Sequence, residues 1–409
     1  MAQQHLDPTN PLTGPAATGD ALAGYLRAQA TEFLRALRLH RETGSGASGS
    51  EGSAEAARAL RRSARRISAG LHTFQSLLDS DWCEAMRPEL AWVSGTLAME
   101  HAYTARLERL LTALHRLSGS TALPGQTAGT AAGRADAPAG TRADSTASGR
   151  ADSAAGGRSG PAAGGRTGPA AGGRTAAAAP LPQRAAARDA GPRSPSAPER
   201  GNLTVGAAKA GALLDRQLTL ARTRAHSTAL QALGSSRFHA VADKVAVLAS
   251  EVPLTRAAGS TDLRPLAAAA QDRLADAVAA LPLVTAGNPY NAAALVHGLS
   301  PDTVPHPQDA PWHQVRLLLR LHRYAREAVN GPKGNAVVDL RLLSAGRALN
   351  RHRDASEAAA AAAQAARTPR IAPATAYALG VLHADQRHEV EAARFAFQQC
   401  WQKETVRTS

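Results

Sequence analysis

Between Trp312 and Ala328 the chain reads WHQVRLLLRLHRYAREA, four arginines and two histidines among leucines with a single acid. At about 100° of rotation per helical residue, His313, Arg316, Arg320, Arg323, Tyr324 and Glu327 fall within an arc of roughly 100°. Leu317, Leu318, Leu321, Ala325 and Ala328 fill the adjoining arc, and Trp312, Val315 and Leu319 flank the other side. Such a helix is mostly buried, with its charge in one stripe. Burying like charges costs several kcal/mol per ion unless partners compensate, and Glu327 neutralises only one of them. The stripe therefore calls for an anion that the sequence does not supply. Arginine forks grip tetrahedral oxyanions through paired N–H donors.

The same spacing occurs once more. Arg58-x-x-Arg61-x-x-x-Arg65 matches His313-x-x-Arg316-x-x-x-Arg320, and Arg61, Arg62, Arg65 and His72 lie within about 60° of Arg58 on a helical wheel, opposite Leu60, Ile67, Leu71 and Phe74. A comb of donors present once per half, repeating along its helix, suits a ligand that itself repeats. Further candidates are Arg66, Arg351 and the stripe of His383, Arg387 and Arg394, the last with Glu389 or Glu391 as alternative salt-bridge partners. Tyr324 and Glu327 are expected to orient Arg320 and Arg323. His322, on the far side of its helix from His313, is expected to be an ordinary histidine.

The elements that must position these residues are helical. Aromatics make up 3% of the 409 residues, and alanine and arginine are abundant, which favours helix over sheet. Apolar spacing of three and four predicts helices over about 20–40, 54–78, 82–117, 203–233, 238–250, 263–280, 310–330, 336–366 and 374–402, with Asp20 capping the first. The fold class is all-α: two antiparallel four-helix bundles related by a pseudo-twofold. Residues 1–19 are expected to be disordered, 20–118 and 203–255 to form the first half, and 260–405 the second.

From Gly119 to about residue 202 the composition collapses to Ala, Gly, Arg, Pro, Ser and Thr, with arginines at 134, 142, 150, 158, 166 and 174. An eight-residue period without an apolar face reads as a disordered low-complexity insert. Residues 119–200 hold ten arginines against five acids, +5 of the chain's net +14. The remaining +9 sits on the helical parts, and a sequence pI near 10.9 predicts polyanionic partners.

Several chemistries have no signal. The sequence contains no G-x-x-x-x-G-K-[ST], H-E-x-x-H or G-x-S-x-G motif and no acidic cluster for magnesium. No catalytic residue, metal or cofactor is assigned, and binding without turnover is the favoured reading. Cys83 and Cys400 form no metal spacing, which fits a reduced, cytoplasmic compartment. No signal peptide and no run of about 18 apolar residues is present. Two other classes stay open: a nucleic-acid-binding or nucleoid-associated basic protein, and a phosphate enzyme using His313 as acid/base with Arg316 and Arg320 on the phosphate.

The run His313-x-x-Arg316-x-x-x-Arg320-x-x-Arg323-Tyr324-x-x-Glu327, followed by Leu349-x-x-x-x-Asp354, resembles the second-half signature of CHAD domains, the conserved-histidine α-helical domains. Arg61, Arg65, Arg66, Leu71 and Phe74 resemble the matching helix of the first half. The wording is most similar to actinobacterial members, and the likeness covers roughly 20–118 and 203–402. Arg58 stands where the family usually has His, Ser68 where it often has Arg, and His101-Ala102 where Arg-Asp is usual. The resemblance implies two four-helix bundles around a basic cavity that binds inorganic polyphosphate and associates with polyphosphate granules. Related chains often carry a triphosphate-tunnel (CYTH) domain, whose E-x-E-x-K motif does not occur here.

Overall fold

A computed structural model describes residues 18–44, 50–119, 197–283, 285–287, 307–331 and 339–402. The N-terminal stretch 1–17 and most of the low-complexity insert lie outside these. Nine α-helices of four residues or more are found among the described residues: α1 (Gly19–Gly44), α2 (Ser50–Thr73), α3 (Ser80–Ser118), α4 (Ala197–Leu233), α5 (Ser236–Ser250), α6 (Arg264–Ala279), α7 (Ala310–Asn330), α8 (Leu340–Ala366) and α9 (Pro373–Gln402). The only β-pairing among them is a single bridge between Leu78 and Leu254.

Local chemistry sets the helix ends. The Asp79 carboxylate accepts from the Trp82 amide at 2.8 Å and starts α3. Gly119 ends it in the left-handed region at φ 69°, where a side chain would be strained. Asp339 caps α8 by accepting from the Leu342 amide at 3.1 Å. Asp20 is not the cap expected of it, because α1 begins one residue earlier and places Asp20 in the first turn. There its charge still faces the free amides favourably. The second helix, expected to reach about residue 78, ends at Thr73, and a short 3-10 turn, Gln75–Leu77, completes the segment. In turn α4 begins at Ala197, six residues before the apolar pattern does, so the expected insert overlaps its first turns.

The two halves repeat one order. A pair made of α1 and α2, or of α6 and α7, is followed by a long antiparallel hairpin, α3–α4 or α8–α9, with α5 packed on α1 as an addition to the first half. Phe33, Leu60, Ile67, Phe74, Met86 and Phe238 fill the first core. Trp312, Val315, Leu349 and Phe397 fill the corresponding core of the second half. A third core, with Leu110, Leu114, Ala210, Leu214, Ala362 and Leu382, binds the ends of the two long hairpins to one another. Two ion pairs, Arg106 to Glu357 at 2.7 Å and Arg116 to Asp385 at 2.6 Å, reinforce that junction, and Arg109 donates to the Gln386 amide oxygen at 2.6 Å.

The closeness of α4 and α9 rests on a missing side chain. A Cβ at Gly206 would lie 2.2 Å from the Ala374 carbonyl oxygen, far inside contact distance. Gly206→Ala is therefore expected to force the hairpins apart, lowering stability by about 1–3 kcal/mol despite the better helix propensity of alanine. A thermal melt beside Gly95→Ala, a helical glycine with open space around it, checks this. The control should be neutral or stabilised.

Candidate functional site

Where α2 meets α7, Arg66 donates from Nε and Nη2 to the two oxygens of Glu327 at 2.7 and 3.3 Å. Its guanidinium also lies 5.2 Å from the centre of the Tyr324 ring. Glu327 thus does not orient Arg320 or Arg323, as expected from their shared stripe, because a residue of the other half reaches it first. The 255-residue offset that maps Arg58 onto His313 also maps His72 onto Glu327. The latch therefore exists only once. His72 instead faces Arg87 and Arg273, which together with burial lower its pKa, and it stands apart from the arginine comb.

Beside the latch, α2 contributes Arg61 and Arg65, α7 contributes Arg316 and Arg320, and α8 contributes Arg353. Each is partly buried, and they act on one another electrostatically. Burial, followed by Arg320, Arg61 and Arg353, pulls Arg65 down to about 10. Burial, followed by Arg320, Arg353 and Arg65, pulls Arg316 down to about 9. Arg61 and Arg320 are lowered as well, first by burial and then chiefly by neighbouring arginines, though Tyr324 favours the charge on Arg320. All remain charged at neutral pH, and the lowered values reflect burial first and mutual repulsion second, both of which disfavour the charges of the groove.

Few partners relieve them. Arg65 Nε donates to Ser94 Oγ at 2.9 Å, and Arg316 Nη1 reaches Asn350 Oδ1 at 3.5 Å. The buried Arg316 Nε has no partner. Among the described residues no carboxylate forms a salt bridge with Arg61, Arg65, Arg316, Arg320 or Arg323, while Arg353 is held by Asp354 and lies 3.8 Å from Glu357. The exposed rim is neutralised more fully, since Arg58 and Arg62 share Glu55 at 3.2 and 3.1 Å.

His313 stands at the α7 end of this groove. Burial lowers its pKa, Asp309 opposes that, and Arg316 and Arg353 add to it, so the ring is neutral at pH 7. Its Nε2 is buried without a partner, a donor or acceptor available to a ligand. Behind it His352, 1% exposed, stacks on Trp312 at 5.7 Å and meets His313 edge-on at 5.5 Å.

The remaining candidates go elsewhere. Arg387 and Arg394 are buried and converge on Asp309, donating at 2.7 and 2.6 Å, and Arg394 also holds Glu391 at 2.7 Å. The stripe expected to face a ligand is thus enclosed with its own acids. His383 Nδ1 lies 3.0 Å from the Ala359 carbonyl, between α8 and α9. Arg351 is exposed on α8. Arg323 lies next to Arg320 and lines a cavity on the far side of the latch. His322 is buried.

Two groove residues lacked a clear signal in the sequence. Arg353 adjoins an acid and belongs to no comb. His101 reaches Arg58 and Arg61, which together with burial lower its pKa, and its place in the family pattern was the one hint. Among the described residues no group of three or more His, Cys, Asp or Glu side chains could hold a metal ion, and no helix is long and apolar enough to cross a membrane.

Comparison with known proteins agrees with this geometry. Residues 28–363 match the family described as CHAD domain. The solved structure of PptA from Streptomyces chartreusis is 66% identical to this chain, with a TM-score of 0.67, covering 95% of this chain and 100% of its own. No curated protein matches. A match over most of the chain and a full-length relative at that identity place it: the chain belongs to the CHAD domain family.

Proposed function

We propose that the groove binds inorganic polyphosphate without turning it over, and that this binding brings the protein to polyphosphate granules. The observation that carries the reading is the set of four partly buried arginines, Arg61, Arg65, Arg316 and Arg320, left without a carboxylate where two halves and three helices meet. A chain of phosphates supplies the missing charge at regular spacing. Arg353, His313 and, at the rim, Arg58, Arg62 and His101 add donors along the same path. Family membership favours polyphosphate over nucleic acid, and the groove offers guanidinium forks where base recognition on single strands relies on stacked aromatics.

Calorimetric titration with long-chain polyphosphate at near-physiological salt tests the reading. Binding should raise the melting temperature, by mass action worth about 2.7 kcal/mol at a hundredfold excess over Kd. Arg353→Ala should weaken binding by roughly 10–100-fold, the equivalent of one charged hydrogen bond at about 1.5–3 kcal/mol. No binding, or displacement of polyphosphate by duplex DNA at equal phosphate concentration, would overturn it. Released orthophosphate that disappears in His313→Ala would show turnover instead.

A further inference from the structure

Beyond the Arg66–Glu327 latch lies a cavity of about 780 Å³, walled by α1, α2, α7 and the start of α8. Its volume is that of a small-molecule site. Its lining joins apolar and charged groups. Ala21, Gly24, Ala28, Ala59, Leu342 and Leu343 form its apolar lining together with Tyr25. Arg62, Arg66 and Arg323 add positive charge to the same wall, and Arg323 adjoins Arg320 of the polyphosphate path.

The polar groups are arranged to receive something. Tyr25 is 6% exposed, and its buried hydroxyl, with Arg66 and Glu327 beside it, finds no acceptor for its proton. Burial, with Glu327 beside it, pushes the phenol pKa up, so the hydroxyl is a donor at every physiological pH. Glu327 is occupied by Arg66, and Asp339 lies 3.4 Å from Arg326. Arg323 has no salt-bridge partner among the described residues. Glu32, 57% exposed and with Arg35 as its only salt-bridge partner among the described residues, also lines the cavity, and it can accept from exocyclic N–H donors.

We propose that this cavity receives the base and sugar of a nucleoside polyphosphate whose phosphate tail passes Arg323 onto the arginines of the groove. The ligand class follows from the juxtaposition: an apolar lining in a cavity large enough for a base and sugar, a hydroxyl donor and an acid in its walls, and Arg323 linking it to the phosphate path. The proposal rests on the polyphosphate reading of the groove, and the test separates the two.

The experiment compares ATP with tripolyphosphate, both free of magnesium, by calorimetry on the full chain. The two share three phosphates and differ in the nucleoside. Wild type should bind ATP at least tenfold more tightly. Gly24→Leu should remove that difference while leaving the tripolyphosphate Kd unchanged, because a Cβ at Gly24 meets nothing within 4 Å and its side chain projects into open space. Leucine also favours the helix over glycine, and a thermal melt verifies that the variant folds. Ala28→Phe, in the same lining, provides an independent block. Equal affinity for the two ligands in wild type, or a nucleoside advantage that survives both substitutions, overturns the cavity assignment alone. Failure of both ligands to bind overturns the groove reading and this one with it.

Discussion

The double variant Arg316→Met, Arg320→Met is expected to weaken polyphosphate binding by about 10²-fold or more while raising the melting temperature of the unliganded protein. The binding loss follows from removing two charge-assisted contacts at about 1.5–3 kcal/mol each, with incomplete additivity because the two lie side by side. The stability gain has the opposite sign because the same charges repel one another in the empty groove, where burial and neighbouring arginines pull Arg316 down to about 9. Methionine keeps the apolar stem that an arginine packs along a helix, and replacing buried like charges by apolar groups of similar size stabilises by about 1 kcal/mol or more. Calorimetric titration and a melt of the same preparation read both quantities. Raising salt should stabilise the unliganded wild type more than the variant, since it screens only the repulsion that wild type retains. Loss of both binding and stability would mean that the two arginines serve the fold, and the groove assignment would fall.

Removing Asp309 should have a large effect with a different signature. Its carboxylate is fully buried and accepts from Arg387 at 2.7 Å, from Arg394 at 2.6 Å and from Ser356. At the start of α7 it makes no capping hydrogen bond with its own helix, because the side chain turns inward to these partners. Asp309→Ala leaves the buried Arg387 guanidinium without its acid and Arg394 with Glu391 alone, which costs about 3–5 kcal/mol. Burial alone would raise the Asp309 pKa, but Arg387, His352 and Ser356 outweigh it and hold the carboxyl well below the usual carboxylate range. With the folded pKa depressed, its stabilisation is fully present above the unfolded value of about 3.9 and is lost as pH falls toward the folded one. Melts of wild type and variant should therefore differ by a constant amount between pH 7 and 5, and the gap should narrow only below about pH 4. A gap that already closes between pH 7 and 5 would mean that the Asp309 pKa is not depressed.

The contrast between Asp309 and Arg316 explains which parts of the site were legible in the sequence. The α7 stripe could be read because the helix confines its basic residues between two apolar arcs, and its repetition in α2 marked the pair. Partnership across long stretches of chain left no local trace. Glu327 lies four residues from Arg323, the i,i+4 spacing of a helical salt bridge, yet its acid is taken by Arg66, 261 residues away. Arg387 and Arg394 formed a stripe as regular as the one that lines the groove, but their acid, 78 and 85 residues earlier, has the local appearance of an ordinary helix cap. On α8, alanines make up most of the buried face, so the apolar contrast that would aim Arg353 inward and Arg351 outward is faint. Helical periodicity reports the side of an element, and only packing decides what stands opposite it.

The hairpin α3–α4 bears on how this chain has changed in length. The low-complexity stretch leaves α3 at Gly119 and joins α4 at Ala197. Gly119 is 25 residues beyond Ser94, the groove partner of Arg65, or roughly 37 Å along the helix at about 1.5 Å per residue. The third core and the arginine pairs to α9 lie between the two points. The eight-residue repeats therefore enter the chain at a junction where neither a groove arginine nor a buried side chain of the two main cores must move. The end of this hairpin is a place where the length of the connection can change without displacing the combs on α2 and α7. It is also the natural place to graft a reporter domain onto the protein without touching the groove.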